Sequence, residues 1–226
     1  MASSALTIYG HWVSQPARSV LWLLKIKELP FDFKKVEPMN GDTRKEDFRA
    51  LFPTAKAPAI IDEGDFRLAE GSAILGYLCD KHKWVEWYPS ELQERARVNE
   101  YLSSHHTTSR LITRNIFHPI MLSIMKPDKP EPDLDILASK AQTSASRFSS
   151  TWLEQGPYIG GFQSPTIADL MAYCEFAQAP QMRLLDKFDD PKIEDWLSQM
   201  QSLPYHDDVH RSLFKLSARR EKLANK

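Results

Sequence analysis

The stretch that most constrains the fold is the sequence Ser-Gln-Pro-Ala-Arg at residues 14–18. A short apolar run at 6–9 precedes it and is typical of a strand, whereas the amphipathic run at 18–27 is typical of a helix. A strand that turns through a serine and a proline into a helix leaves the Ser14 hydroxyl beside free backbone N–H groups, at the positive end of the helix dipole. Ser14 is therefore predicted either to cap this helix or to help hold an anion there, and on this segment alone the cap is the simpler interpretation.

The rest of the first 84 residues alternates between strand and helix patterns. A strand, a helix and a second strand in succession predict a right-handed crossover and a parallel pair. Pro58 opens a later apolar run, a setting that suits the edge or first residue of a strand and is compatible with a cis peptide bond. The remaining elements are predicted as strands at 31–36, 58–61 and 66–68, a short helix at 44–51 and a helix at 70–82.

A break at residues 85–91, which contain Trp-Tyr-Pro, separates this part from a long helical region. From Leu92 onward the apolar residues recur at helical spacing and no strand pattern follows. The helix that begins near Gln93 is predicted to run to Met125 and to bend near Pro119. We therefore predict an α/β domain at 1–84, a linker at 85–91 and an all-α domain at 92–226.

Bulk composition narrows the class of function. A formal charge of −1 gives no case for nucleic acid as a partner. The two cysteines, Cys79 and Cys174, lie in apolar helical patterns without metal or redox spacing, so a reducing compartment without disulfides is expected. No run is long enough to span a membrane and no leader precedes the first strand, so we expect a cytoplasmic protein.

Two local motifs in the second half could each mark a functional site, and neither is predicted to do so. Thr166 and Asp169 have the spacing of a capping box ahead of an apolar run, which predicts helix initiation and no chemistry. His206 and His210 have a possible metal spacing, but they lack further ligands among what are expected to be solvated acids, so no metal site is predicted.

Six motifs occur in order over nearly the whole chain, from Leu6 to about Leu197. They are Ser-Gln-Pro-x-Arg at 14–18, Lys-x-Pro-Ala at 56–59, a helix opened by Glu70, Trp-Tyr-Pro at 87–89, residues 95–108, and the capping box at 166–169. Together these motifs resemble theta-class glutathione S-transferases. The resemblance implies a thioredoxin-like N-terminal domain, a helical C-terminal domain, a cytosolic homodimer that detoxifies electrophiles, and glutathione as co-substrate with no permanently bound cofactor.

By this resemblance, Ser14 donates a hydrogen bond to the sulfur of glutathione and so stabilises the thiolate, acting as an activator and not as a nucleophile. The backbone of Ala57, fixed by Pro58, pairs with the cysteinyl main chain as an added strand would. Lys56 meets the glycyl carboxylate. Glu70 takes the γ-glutamyl ammonium, while N–H groups at the start of its helix take the neighbouring carboxylate.

Three further residues are implied with competing interpretations. Arg18 lies one turn beyond Ser14 and either reinforces the positive field or forms a surface or interface salt bridge. Thr107 and Arg110 match positions that reach the glutathione site or line the electrophile site in relatives, or else serve helix packing. The adjacent pair His105 and His106 is not expected to face one ligand.

The chain departs from the family pattern at two positions. Gly71 stands where a serine usually binds the γ-glutamyl carboxylate, and Ser72 is rotated from it by about 100° along a helix, so it is no simple substitute. Thr43 stands where theta enzymes often carry histidine for the glycyl end. Losing a hydrogen bond to a charged group costs about 1.5–3 kcal/mol, so glutathione is expected to bind more weakly than in relatives.

The sequence therefore predicts an enzyme that conjugates glutathione to small electrophiles such as alkyl halides and epoxides, or reduces organic hydroperoxides with it. The alternative is a binding or scaffold protein that kept the fold with weak or no use of glutathione. Trp12, Phe117, Met121 and Met125 are candidates for an apolar electrophile pocket or for plain core. The basic tail from Arg211 is predicted to fold over the site as a lid, with an anionic surface or a solvated end as alternatives.

Overall fold

The computed structural model describes residues 6–126, 128, 130 and 132–224. Its first part is a four-stranded mixed sheet in the order β2-β1-β3-β4, in which β1 runs parallel to β2 and antiparallel to β3, and β3 runs antiparallel to β4. The predicted parallel pair is confirmed. The elements are β1 (Leu6–Gly10), α1 (Gln15–Ile26), β2 (Phe31–Lys35), α2 (Glu46–Leu51), β3 (Ala59–Asp62), β4 (Phe66–Ala69) and α3 (Gly71–His82).

Helix α1 lies at the centre of the molecule. Sequence periodicity predicted a single buried face with Val20, Leu23 and Leu24, and these three side chains are fully buried. Every residue from Ala17 to Leu24 is buried, however, because α1 packs against α3 of the first half and against helices of the second half. A polar residue in α1 must therefore find a partner inside the protein.

The second half contains helices and no strand among its described residues, as predicted. It comprises α4 (Leu92–His105), α5 (Arg110–Ile112), a π-helical segment (Thr113–Phe117), α6 (His118–Met125), α7 (Leu134–Trp152), α8 (Ile167–Phe176), α9 (Gln178–Gln181), α10 (Pro191–Gln201) and α11 (His206–Ala224). Turns at 83–91 separate α3 from α4.

The prediction of one long helix that bends near Pro119 was wrong, because the interruption lies earlier in the chain. The long helix already ends at His105, and residues 106–109 form a turn before α5 and the π-helical segment. Pro119 lies in the first turn of α6, directly after the π-helical segment, and Phe117 and His118 before it keep helical backbone angles, so it does not mark the interruption. The interruption instead displaces Arg110 and Thr113 from the register of a continuous helix.

One hydrophobic core joins the two halves. It contains Ile8 of the sheet, Trp22 of α1, and Tyr173 and Trp196 of the helical half. The capping box is present: Thr166 accepts from Ala168 N, and Asp169 accepts from Thr166 N at 2.9 Å. Both cysteines are free and buried, and burial raises the pKa of each thiol to about 12. No helix in the described part of the chain is long and apolar enough to cross a membrane.

Candidate active site

A cavity of about 350 Å³ lies where the two halves meet. Its volume is within the range that small-molecule sites occupy. Residues of the first half line one wall: Pro16, Lys56, Ala57, Pro58, Glu70 and Gly71. Residues of the helical half line the other: His105, His106, Arg110 and Met171. The structure thus brings together five residues that the sequence analysis singled out for glutathione: Lys56, Ala57, Pro58, Glu70 and Gly71, with Arg110 facing them.

Ser14 is the N-cap residue of α1, with an extended backbone. Its carbonyl accepts from Arg18 N at 2.9 Å, yet its side chain makes no capping hydrogen bond. The simpler prediction, a serine that caps the helix through its hydroxyl, is therefore wrong. No acidic residue occupies the first turn, so nothing there offsets the positive end of the dipole. Ser14 itself does not line the cavity described above, although Pro16, two residues later in the first turn of α1, does.

The Lys56–Pro58 segment lines the cavity directly before the inner strand β3. The Ala57–Pro58 bond is cis, in agreement with the sequence prediction, and β3 begins at the next residue. The paired residues of β3 start at Ala59, so Ala57 stays outside the sheet ladder. Lys56 is exposed and forms no ion pair with any residue that the structure describes.

Helix α3 begins at this cavity with an unusual backbone. Glu70, its N-cap residue, has φ of 74°, a value that non-glycine residues rarely adopt. Such conformations persist where the surroundings fix them and are frequent at functional sites. Glu70 is exposed and, like Lys56, forms no ion pair within the described residues. One cavity therefore carries an unpaired cation and an unpaired carboxylate.

Gly71 is in close contact with α1. A Cβ at this position would lie 3.0 Å from Pro16 Cβ and 3.3 Å from the Pro16 carbonyl oxygen. Because the second of these is a backbone atom, a serine here would push the starts of α1 and α3 apart. Ser72 lines a neighbouring depression with Tyr77 and Asn99 and does not line the cavity.

Arg18 is fully buried, so the predicted surface salt bridge is absent from its described surroundings. Its Nη1 donates to the Val13 carbonyl at 2.7 Å and its Nη2 to the Cys174 carbonyl at 2.9 Å. Burial lowers the pKa of the guanidinium. The side chain thus ties the loop before Ser14 to α8, and it does not reach the cavity surface.

Two other predicted residues lie away from the cavity. Thr43 is buried in a 3-10 turn, Asp42–Arg44, and does not line it. Thr107 donates to the Ser104 carbonyl at 3.0 Å and lines a separate cavity of about 390 Å³ against α7.

The aromatic and methionine candidates for an electrophile pocket line neither of these two cavities. Trp12 packs on Phe33, Phe117 and Met121 are core, and Met125 is exposed.

The structure reveals site residues that the sequence did not indicate. His105 and His106 both line the cavity, against expectation, since His105 reaches it from the buried side at the end of α4 and His106 from the exposed side. Burial, His106 and Arg110 lower the pKa of His105 to about 3, so it is neutral. Gln15 and Glu175 do not line the cavity, but each accepts a hydrogen bond from Arg110, which does. Gln15 belongs to the pentapeptide at 14–18 that the sequence analysis singled out. Glu175 carried no sequence signal, because it lies among apolar residues of α8.

The remaining candidates fall outside the site. His206 and His210 are buried with ring centroids 4.6 Å apart, and His206 Nε2 bonds the Tyr173 hydroxyl at 2.7 Å. No cluster of metal-ligating side chains occurs in the described part of the chain. Helix α11 packs on α1, α6 and α9, and its described residues line neither cavity, so the predicted lid is not seen; Lys226 lies outside the described residues.

Comparison with known proteins agrees with this geometry. Residues 4–80 match the glutathione S-transferase N-terminal domain family. The chain is 30% identical to human glutathione S-transferase theta-1 over 93% of this chain and 89% of that protein. It is 31% identical to Arabidopsis thaliana glutathione S-transferase T3 over 96% of this chain, but it spans only 38% of that relative's length.

Solved structures extend the likeness to three dimensions. Human glutathione transferase theta-2, crystallised in complex with glutathione, superposes with a TM-score of 0.82 and 27% identity, covering 96% of this chain and 90% of that one. The chain belongs to the glutathione S-transferase family, and its relatives are of the theta class.

Proposed function

We propose that this protein is a glutathione transferase that binds glutathione in the cavity between its halves and activates the thiol with Ser14. The observation that carries the proposal is the pair of unpaired opposite charges, Lys56 and Glu70, on one cavity beside a helix start whose serine hydroxyl is not used as a cap. Glutathione carries two carboxylates, an ammonium and a thiol, and so offers a partner for each of these groups.

The tripeptide is held along the wall formed by the first half. Lys56 meets the glycyl carboxylate, and the free main chain of Ala57 beside Pro58 pairs with the cysteinyl residue. Glu70 takes the γ-glutamyl ammonium. Backbone N–H groups at the start of α3 take the γ-glutamyl carboxylate. Gly71 and Ser72 belong to this start, and neither supplies the usual hydroxyl.

Ser14 then lowers the pKa of the bound thiol. A free thiol with a pKa near 8.5 is mostly protonated at neutral pH, and only the thiolate attacks. A hydrogen bond from the Ser14 hydroxyl to the sulfur, added to the positive end of α1, supplies the roughly 1.4 kcal/mol that each pKa unit of lowering requires. Arg18 contributes by holding the loop that carries Ser14, and Arg110 adds positive charge from the opposite wall.

The reaction is displacement or peroxide reduction. With an alkyl halide, a sulfur–carbon bond forms as the carbon–halogen bond breaks, the halide leaves and the thiol proton passes to solvent. With an epoxide, a sulfur–carbon bond forms as the carbon–oxygen bond breaks, and the opened ring oxygen takes up a proton from solvent in place of the one that the thiol lost. With an organic hydroperoxide, two glutathione molecules give a disulfide, an alcohol and water. We further propose a cytoplasmic homodimer with domains at 1–84 and 92–226, and an electrophile position flanked by Thr107 and Arg110.

A binding or scaffold protein with little use of glutathione is the second candidate. It is favoured by Gly71, whose contact with Pro16 leaves no room for the hydroxyl that relatives place there. This candidate retains the fold and the cavity but predicts negligible affinity for the tripeptide.

Calorimetric titration with glutathione separates the two candidates. Binding, together with a thiolate absorbance whose pH midpoint falls below that of free glutathione, supports the enzyme, and turnover is then measured with cumene hydroperoxide and a nitrobenzyl halide. Absence of detectable binding by the native chain would remove the enzyme. If Ser14→Ala binds glutathione with an unchanged thiol pKa, the role of Ser14 is wrong even though the cavity is right.

A further inference from the structure

Glu175 is a fully buried carboxylate behind the cavity, on α8. A buried carboxylate persists only when donors satisfy it. Arg110 Nη1 donates to its Oε1 at 2.9 Å, and the Thr113 hydroxyl donates to its Oε2. His105 Nε2 lies 3.7 Å from Oε1 and has no hydrogen-bond partner. Glu175 therefore accepts hydrogen bonds from α5 and from the π-helical segment, the two elements that follow the break in the long helix.

Arg110 extends this contact to the start of α1. The same Nη1 donates to Gln15 Oε1 at 2.8 Å. Gln15 is the first residue of α1 and directly follows Ser14. The Arg110 side chain is only 24% exposed and lines the cavity, so one guanidinium contacts the buried carboxylate, the start of α1 and the cavity surface.

The hydrogen bonds close into a ring. Gln15 Nε2 donates to Gln178 Oε1, Gln178 Nε2 donates to Thr113 Oγ1 at 2.9 Å, and Thr113 donates back to Glu175. Arg110 can only donate and Glu175 can only accept, so the direction of every bond and the orientation of both amides are fixed. Such head-to-tail bonds strengthen one another in a buried setting.

We propose that Glu175 is a positioning residue, which closes this ring and thereby holds Gln15, and with it the Ser14 hydroxyl, against the cavity wall that carries Arg110. The inference rests on the proposed function, because it concerns the thiol that Ser14 activates. The ring spans α1, α5, the π-helical segment, α8 and α9, so it fixes the start of α1 relative to four parts of the helical half.

The direction in which the thiol pKa changes distinguishes a positioning role of Glu175 from a simple effect of its charge. Glu175 places a negative charge beside Arg110, so neutralising it without moving anything would raise the positive potential at the cavity and lower the thiol pKa. If Glu175 acts by position, its loss releases Gln15 and Ser14, and the thiol pKa rises.

The test compares wild type, Glu175→Gln, Gln15→Met and the double variant. In Gln15→Met, Arg110 keeps its pairing with Glu175, so this variant breaks the ring without leaving a buried charge unpaired. Thiolate absorbance of bound glutathione against pH and kcat/KM for cumene hydroperoxide are measured on each. We expect both single variants to raise the thiol pKa by about one unit and to lower kcat/KM about tenfold. The double variant should resemble either single one, because a ring broken twice loses no more than a ring broken once.

Asp169→Asn is the matched control, since Asp169 is also a fully buried carboxylate of α8 but faces away from the cavity. It should lose stability and leave the thiol pKa and kcat/KM unchanged below its unfolding temperature. A lowered thiol pKa in Glu175→Gln, or unchanged values in both single variants while wild type activates glutathione, would overturn the inference. If wild type itself binds no glutathione, the proposed function fails first and the inference falls with it.

Discussion

Helix α8 carries two buried carboxylates with opposite orientations. Asp169, in its first turn, accepts from Thr166 N at 2.9 Å, from Ile159 N at 3.0 Å and from Trp196 Nε1 at 3.0 Å. Glu175, near its end, accepts from Arg110 and Thr113. Both groups are satisfied, and both hold different parts of the chain together.

The difference lies in what their partners do. The partners of Asp169 initiate α8 and hold the loop before it, so its removal should affect folding alone. The partners of Glu175 line or adjoin the cavity and reach the residue next to Ser14, so its removal should affect the chemistry of the thiol. Substitution of these two buried acids of one helix should therefore distinguish a loss of stability from a loss of the proposed function.

The largest effect is expected at Asp169. Asp169→Ala leaves two backbone N–H groups and an indole N–H without an acceptor and should cost about 3 kcal/mol of unfolding free energy. Urea unfolding measures this cost. Glutathione affinity and the thiol pKa of the folded variant should match wild type, and a changed thiol pKa would contradict the separation between the two acids.

Ser14→Ala should lower kcat/KM by tenfold to a hundredfold, since a hydrogen bond to a charged group is worth about 1.5–3 kcal/mol. Its stability should change little, because the hydroxyl caps nothing. Adding Glu175→Gln in this background should produce no further rise in the thiol pKa. An additional rise would mean that Glu175 acts on the thiol by a route other than Ser14.

Gly71→Ala disturbs Ser14 from the opposite side. Its Cβ would lie 3.0 Å from Pro16 Cβ, and relieving that contact should cost about 1–2 kcal/mol and move the start of α1. We expect weaker glutathione binding and a raised thiol pKa, as in Gln15→Met. Gly76→Ala in the same helix is the control, since its nearest foreign atom is 3.6 Å away. Tighter binding by Gly71→Ser would show that the two helices separate easily, contrary to this expectation.

The smallest effects concern pH. The pKa of His105 falls from 6.5 to about 3 in the folded state, so the unfolded chain binds more protons between these values and stability is lost as the pH falls below 6.5. The pKa of Asp169 rises from 3.8 to about 6 through burial, so this group acts in the opposite direction between those values. Each contributes at most about 1.4 kcal/mol per pH unit.

Unfolding midpoints measured between neutral pH and about pH 5 distinguish the contributions of His105 and Asp169 to the pH dependence of stability. His105→Gln should make the loss of stability on acidification shallower. Asp169→Asn should make it steeper. Identical slopes in the two variants and wild type would show that neither group titrates as its surroundings indicate.

Much of the site could be predicted before the structure, because its first wall consists of local signals. Pro16 in a first helical turn, Pro58 before a strand and Glu70 before a helix each constrain the backbone within a few residues. The capping box at Thr166 is local in the same sense, and it was confirmed. On the second wall only Arg110 was expected, from the resemblance. The inward positions of His105 and His106 could not be predicted, since the long helix was expected to continue past His105 and its interruption sets which side chains face inward.

The parallel strand pair, the helices of the first half and the start of α1 thus follow from the sequence itself, because turn residues and apolar periodicity act over short stretches of chain. The burial of α1 on all sides, the contact of Gly71 with Pro16 and the ring through Glu175 were decided only by tertiary structure. The partners of Glu175 lie 62 and 65 residues away along the chain, and no short-range sequence pattern predicts contacts over such a separation. A buried charge finds its donors only when the helices have packed.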